Sequence, residues 1–136
     1  MSDILVPNSP GELLDKITIL RIKAARISDG AKLANVRLEL ELLERTWAEA
    51  GAAAPPAVAD EERALQAVNE RLWIIEDEIR EREAAGRFDA EFIRLARNVY
   101  LCNDERAAIK KRINLALGSR IVEEKSYAEY RVSRPG

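Results

Sequence analysis

The side chains here with the most capacity for chemistry are carboxylates and one unusually placed arginine. The chain has 24 Asp and Glu, 22 Lys and Arg, one cysteine and no histidine. Acids three residues apart occur at Glu12/Asp15 and Glu41/Glu44. On a helix that spacing puts both carboxylates on one face. Facing carboxylate pairs supply the oxygen ligands a hard divalent cation requires. Arg106 is the second feature. In a continuous helix it lies within the apolar stripe Leu95, Val99, Cys102, Ile109, Ile113 and Leu117. A guanidinium on a core-facing stripe must be paired and hydrogen-bonded, or must snorkel out. The candidate partners are Glu76 and Asp77 on the preceding helix, or Glu70. Asn103 and Asp104 adjoin Arg106, and Lys110-Lys111-Arg112 follows one turn later. The constellation Arg106, Glu76, Asp77 and Asn103 is therefore a buried ion pair or a polar pocket for an anion.

Each chemical reading has a plainer competitor. All-α nucleotide pyrophosphohydrolases hold magnesium with acid pairs on facing helices, so a carboxylate and magnesium-dependent hydrolase of that kind is the alternative function. Yet 24 acids in 136 residues give about four such pairs by chance, mostly on solvated faces laced by helical salt bridges. Glu12 also has a capping role that explains it. Without histidine there is no Ser/His or Cys/His nucleophile, no imidazole base and no histidine-containing metal site. Cys102 on its apolar stripe reads as a small core residue. There is no glycine-rich phosphate loop, so no catalytic residue, metal ligand or cofactor is assigned. The basic run at 110–112 with Arg120 lacks interleaved aromatics and sits in a chain of net charge −2, so nucleic acid is not an expected partner.

Helices must position these groups. Aromatics are 5% and charged residues 34% of the chain, a composition rich in helix formers. Ser9-Pro10-Gly11-Glu12 is a helix start: Ser9 caps, Pro10 takes the first position, and Glu12 is placed to bond back. Leu13, Ile17, Leu20, Ala24 and Ile27 form the first seam, ended by Ser28-Asp29-Gly30. A second helix from about Ala31 to Ala50 carries Leu33, Val36, Leu40, Leu43 and Trp47. Residues 51–59, with Pro55 and Pro56, read as a linker. Asp60 is placed to cap a third helix to about Ala85, with seam Leu65, Val68, Leu72, Ile75 and Ile79. Asp89 caps a fourth from about Ala90 to Leu117, with a break near Asn103 as one option, and Phe88 is placed to pack on Ile93. Residues 119–136 form a tail. Asp3–Val6 reads as an extended arm or edge strand, and Ile121-Val122 as a second short strand; Ser133–Gly136 reads as a loose end.

The expected fold is all-α: one domain, 1–136, an antiparallel bundle of two helical hairpins at 10–50 and 60–118. Long coiled-coil hairpins fit the same seams. Two helices carry a second apolar face: Ile19 and Ile22 on the first, Leu38 and Leu42 on the second. Other parts of the chain cover these four residues, or they form an interface with another subunit or partner.

The stretches SPGELLDKITILRIKAARI, KLANVRLELELLE, LWIIEDEIRERE and VYLCNDERAAIKKRINLALGSRIVEEKSY resemble a family of small uncharacterised bacterial proteins, classed as a domain of unknown function. The likeness is most specific at SPGELLDK and EEKSY. It implies a compact, mostly helical, stand-alone domain and carries no catalytic residue. It also draws attention to the EEKSY tail, which is expected to fold back near the start of the first helix. With one cysteine, no secretory pattern at the N-terminus and no apolar run of membrane-spanning length, the expectation is a cytoplasmic protein without membrane contact. Its expected role is that of a protein-interaction or assembly module, a homo-oligomer or the partner of another protein, acting by binding and not by catalysis.

Overall fold

In the computed structural model the described residues are 1–130. Four helices occupy most of them: α1 (Pro10–Arg26), α2 (Gly30–Ala50), α3 (Pro56–Ala84) and α4 (Ala90–Ala116). Most local signals operate as their chemistry requires, but the expected return bond from Glu12 does not form: the Ser9 N–H donates to Asn8 Oδ1 at 2.9 Å, and the Glu12 carboxylate turns to Lys110. Ser9 Oγ accepts from the Glu12 N–H at 3.1 Å, with Pro10 at the first helical position. Asp29 caps α2 by accepting from Lys32 N–H at 2.9 Å, and Asp89 caps α4 by accepting from Phe92 N–H at 3.1 Å. Gly86 and Gly118, with φ of 64° and 62°, take the left-handed conformation just past α3 and α4, where a side chain would strain the backbone.

Several expected details differ. The linker is shorter than 51–59: α3 already begins at Pro56, because proline is as well suited to the first turn of a helix as to ending one. Asp60 therefore lies inside α3, paired with Arg63, and caps nothing. α4 runs unbroken through Asn103. Phe88 packs edge-to-face on Phe92, with ring centroids 5.2 Å apart, and Ile93 stays exposed. No strand forms among the described residues: Asp3–Val6 is an extended, exposed arm, and Ile121-Val122 is irregular. The proposed loose end at 133–136 lies outside the described residues.

The packing is an all-α bundle of two hairpins, with α1 as its hub. α1 neighbours each of the other three helices, whereas α2's backbone neighbours only α1. The hairpin of α3 and α4 is antiparallel, tied by Arg71–Glu105 at 2.8 Å and Arg112–Glu61 at 2.9 Å. α1 runs antiparallel to α4, since Gly11 meets Asn114 while Asp15 meets Arg106 further back along α4. Leu14, Ile17, Val58, Leu65, Val68, Leu72, Cys102, Ile109 and Ile113 form the core. Leu40, Leu43 and Trp47 of α2 pack against it from outside, so α2 has no buried residue. The core face of α1 is rotated slightly from the expected seam: Leu14 is fully buried and Leu13 only half-buried.

Candidate functional site

A polar network lies inside the apolar frame, and Asp15 is its centre. Asp15 is 1% exposed and receives donors from two other helices. Its Oδ1 accepts from Arg106 Nε at 2.8 Å and from Asn69 Nδ2 at 3.0 Å. Its Oδ2 accepts from Arg106 Nη2, completing a two-pronged pair. Asn69 Nδ2 also donates to Thr18 Oγ1 at 2.9 Å, and Thr18 Oγ1 donates to the Asp15 carbonyl at 2.8 Å. The Asp15 hydrogen bond holds the Arg106 guanidinium above its ordinary pKa against the cost of burial. A buried carboxylate is tolerated here because a cation and an amide satisfy it together.

Lys110 extends the network toward the chain's end. One helical turn beyond Arg106, it is buried, with Nζ 2.6 Å from Glu12, 2.8 Å from Glu123 and 3.9 Å from Asp15. Burial works against its charge, but hydrogen bonds to Glu12 and Glu123 and the field of Asp15 outweigh it and raise its pKa. Close approach of α1 and α4 makes this possible. Gly11 N–H donates to Asn114 Oδ1 at 2.8 Å, and a Cβ on Gly11 would meet the Lys110 carbonyl at 2.6 Å. Through Glu123 the tail reaches the start of α1, and from there it runs back along α4. Lys125 donates to the Asn103 carbonyl at 3.3 Å, Tyr130 donates to Asp104, and the Tyr130 ring stands edge-on to Tyr100 at 5.3 Å.

On the other side of Arg106 a cleft of about 450 Å3 opens between α1, α3 and α4. Its apolar wall is Ile19, Ile22, Leu72 and Trp73, and its polar lining includes Lys23, Asn69, Glu76, Asp77, Asn103 and Arg106. All four residues of the sequence-derived constellation, Arg106, Glu76, Asp77 and Asn103, thus line one cleft. The ion pairing differs from the expected one: Arg106 pairs with Asp15, and Glu76 pairs with Arg80 at 3.0 Å. Asn103 Oδ1 accepts from Arg106 Nη1 at a long 3.4 Å.

The four apolar residues read as an interface separate into two places. Ile22 is buried and Ile19 half-buried, both in the cleft wall beside α3. Leu38 and Leu42 stay on the outer face of α2, 60% and 38% exposed. Asp15 is the residue the sequence reading undervalued. Asp15, Thr18 and Ile22 sit at i, i+3 and i+7, so the second face of α1 is polar at its start and apolar at its end. That pattern was the available signal.

The acid pairs read from the sequence face cations of the chain itself: Glu12 meets Lys110, Asp15 meets Arg106, Glu41 meets Arg45 and Glu44 meets Arg21. Among the described residues no three acids or thiols converge in a way that would hold a metal ion. Burial pushes the Cys102 thiol above its ordinary pKa, away from the reactive thiolate. Among the described residues no helix is long and apolar enough to cross a membrane.

Comparison with curated proteins and with solved structures finds no match. A family model does match, across residues 4–136, nearly the whole chain. It covers the helix start at Ser9, the Asp15 network on all three helices and the EEKSY tail, and on that match the chain belongs to DUF6165, a family of unknown function.

Proposed function

We propose that this protein is an interaction or assembly module of the cytoplasm that works by binding and self-associates through the outer face of α2. The observation that carries this reading is the position of α2. It is 21 residues long, its backbone neighbours only α1, and none of its residues is fully buried. A helix so placed has an outer face with no work inside its own chain. That face carries Leu38 and Leu42 one turn apart, both exposed. Exposed apolar residues grouped on one element mark contact surfaces more often than isolated ones do. Binding in place of catalysis is supported by the internal pairing of the buried charges and by the raised thiol pKa of Cys102. A single cysteine fits a reducing compartment.

Size-exclusion chromatography with light scattering tests the proposal. The wild-type chain is expected to show a concentration-dependent mass above that of the monomer. The Leu38→Asp/Leu42→Asp variant is expected to run as a monomer with an unchanged helical spectrum. A wild-type protein that stays monomeric at the highest soluble concentration overturns self-association.

A further inference from the structure

The tail and the helix beneath it match group for group. Past Gly118 the chain turns back and runs along α4 in the opposite direction. Glu123 meets Lys110 at 2.8 Å, Glu124 meets Lys111 at 3.6 Å and Lys125 meets Asp104 at 3.7 Å. Tyr130 then bonds to Asp104 and sets its ring edge-on to Tyr100. The face of α4 therefore reads an ordered segment: two acids, a base and then an aromatic. Opposed charges in a fixed order select one sequence and one direction over others.

Little else ties the tail to its own chain. None of residues 119–130 is buried, and no helix or strand forms among them. The pairs with Lys111 and Asp104 are open to solvent, and such pairs are individually weak. From Lys125 onward the two surfaces do not close: a groove of about 1100 Å3 stays open between residues 99–104 of α4 and residues 125–130. Residues 119–122 alone connect Gly118 to Glu123.

We propose that this face of α4 also docks the tail of a second copy, so that two copies exchange tails. The four contacts lie between the tail and α4, so the same set forms whether the two belong to one chain or to two. The occupant is a second copy because each copy carries the acids, the base and the aromatic in the order that α4 matches. Within one chain the local concentration of the tail is high, so exchanged pairs are a minor species at column concentrations and increase with protein concentration. The surface is separate from the outer face of α2, whose backbone neighbours only α1.

The test uses the full chain with Leu38→Asp/Leu42→Asp, which removes the α2 contact, prepared once with light and once with heavy nitrogen. The two preparations are mixed in equal amounts, equilibrated at the highest soluble concentration and coupled with a zero-length carbodiimide, which joins touching lysines and carboxylates. Mass spectrometry then reads whether linked Lys111–Glu124 peptides come from one chain or from two. Exchange predicts hybrid light–heavy pairs whose share rises with protein concentration. The α1–α2 pair Lys16–Glu39, at 3.2 Å, controls for chance collisions and should give none. A second experiment forces the exchange in the same background. One variant reverses the groove, Asp104→Lys/Lys111→Glu, and another reverses the tail, Glu124→Lys/Lys125→Glu. None of these four positions is buried. Each variant repels its own tail, yet each tail fits the other chain's α4, so an equal mixture should run at twice the mass of either variant alone. Hybrids no more frequent at Lys111–Glu124 than at Lys16–Glu39 overturn the proposal, and so does a mixture of the two reversed variants that stays monomeric.

Discussion

Arg106 grips Asp15 with two of its three nitrogens, across α4 and α1 and over a separation of 91 residues in the chain. The Asp15 side chain is 2% exposed and that of Arg106 28%, so the pair straddles the boundary of the core. Removing one partner of such a pair strands the other. Arg106→Met is expected to cost about 3–5 kcal/mol, because Asp15 then keeps only the Asn69 hydrogen bond and the longer 3.9 Å approach of Lys110. Asp15→Leu/Arg106→Met together should cost less than the sum of the two single changes. Urea unfolding of the two single variants and the double variant measures this coupling directly, and strict additivity would remove the network from the account of stability.

Gly11 is required by the contact between α1 and α4, for reasons of space. An added methyl meets the backbone carbonyl of Lys110, which cannot step aside without moving α4. Gly11→Ala is therefore expected to destabilise the fold by about 1–3 kcal/mol, although alanine is the better helix former. A thermal melt of this one variant decides between propensity and packing.

The tail is attached mainly by charge. Its polar contacts are Glu123 to Lys110, Glu124 to Lys111, Lys125 to Asn103 and Asp104, and Tyr130 to Asp104, beside the edge-on Tyr130 and Tyr100 rings. The hydrogen bond to Lys110 lowers the Glu123 pKa from its ordinary 4.5. Its contribution is thus complete above 4.5 and is lost as pH falls through the lowered value. Lys110 is raised above its ordinary 10.5, so its contribution holds below 10.5 and is lost as pH rises through the raised value. The tail should stay docked between those limits. The Tyr130 hydroxyl, pushed up to about 12 by its hydrogen bond to Asp104, remains a donor throughout. Hydrogen exchange at residues 119–130 should quicken in Glu123→Gln and in high salt, with α1 and α4 unchanged.

Cys102 should resist modification in the native state. It is buried and its thiol is raised by desolvation. Alkylating reagent should label it at the rate of unfolding, and a fast native reaction would contradict its place in the core.

Periodicity, with the caps and glycine stops, located all four helices, because each has a mainly aliphatic seam that repeats every three or four residues. Pro55-Pro56 misled at one boundary, since proline ends one helix and starts another with equal ease. The site was half legible. Arg106 was conspicuous as a charge on an apolar stripe, and Glu76, Asp77 and Asn103 share its cleft. Its true partner was hidden because two whole helices, α2 and α3, separate Asp15 from Arg106 in sequence, and pairing across that distance is set by how α1 docks on α4. The close approach at Gly11 that sets this docking looks in the sequence like an ordinary helix start.

The long span from Asp15 to Arg106 also orders events during synthesis. α1 is made first, yet Gly11 and Asp15 find their partners only when Asn114 and Arg106 have been made. At about 5–20 residues per second, Asp15 waits roughly 5–20 s as an unpaired acid on a helix with two apolar faces. Until α3 has been made, only α2, joined to α1 by three residues, is at hand to cover one of those faces. The peripheral helix of the finished bundle is thus the first shelter of its central one.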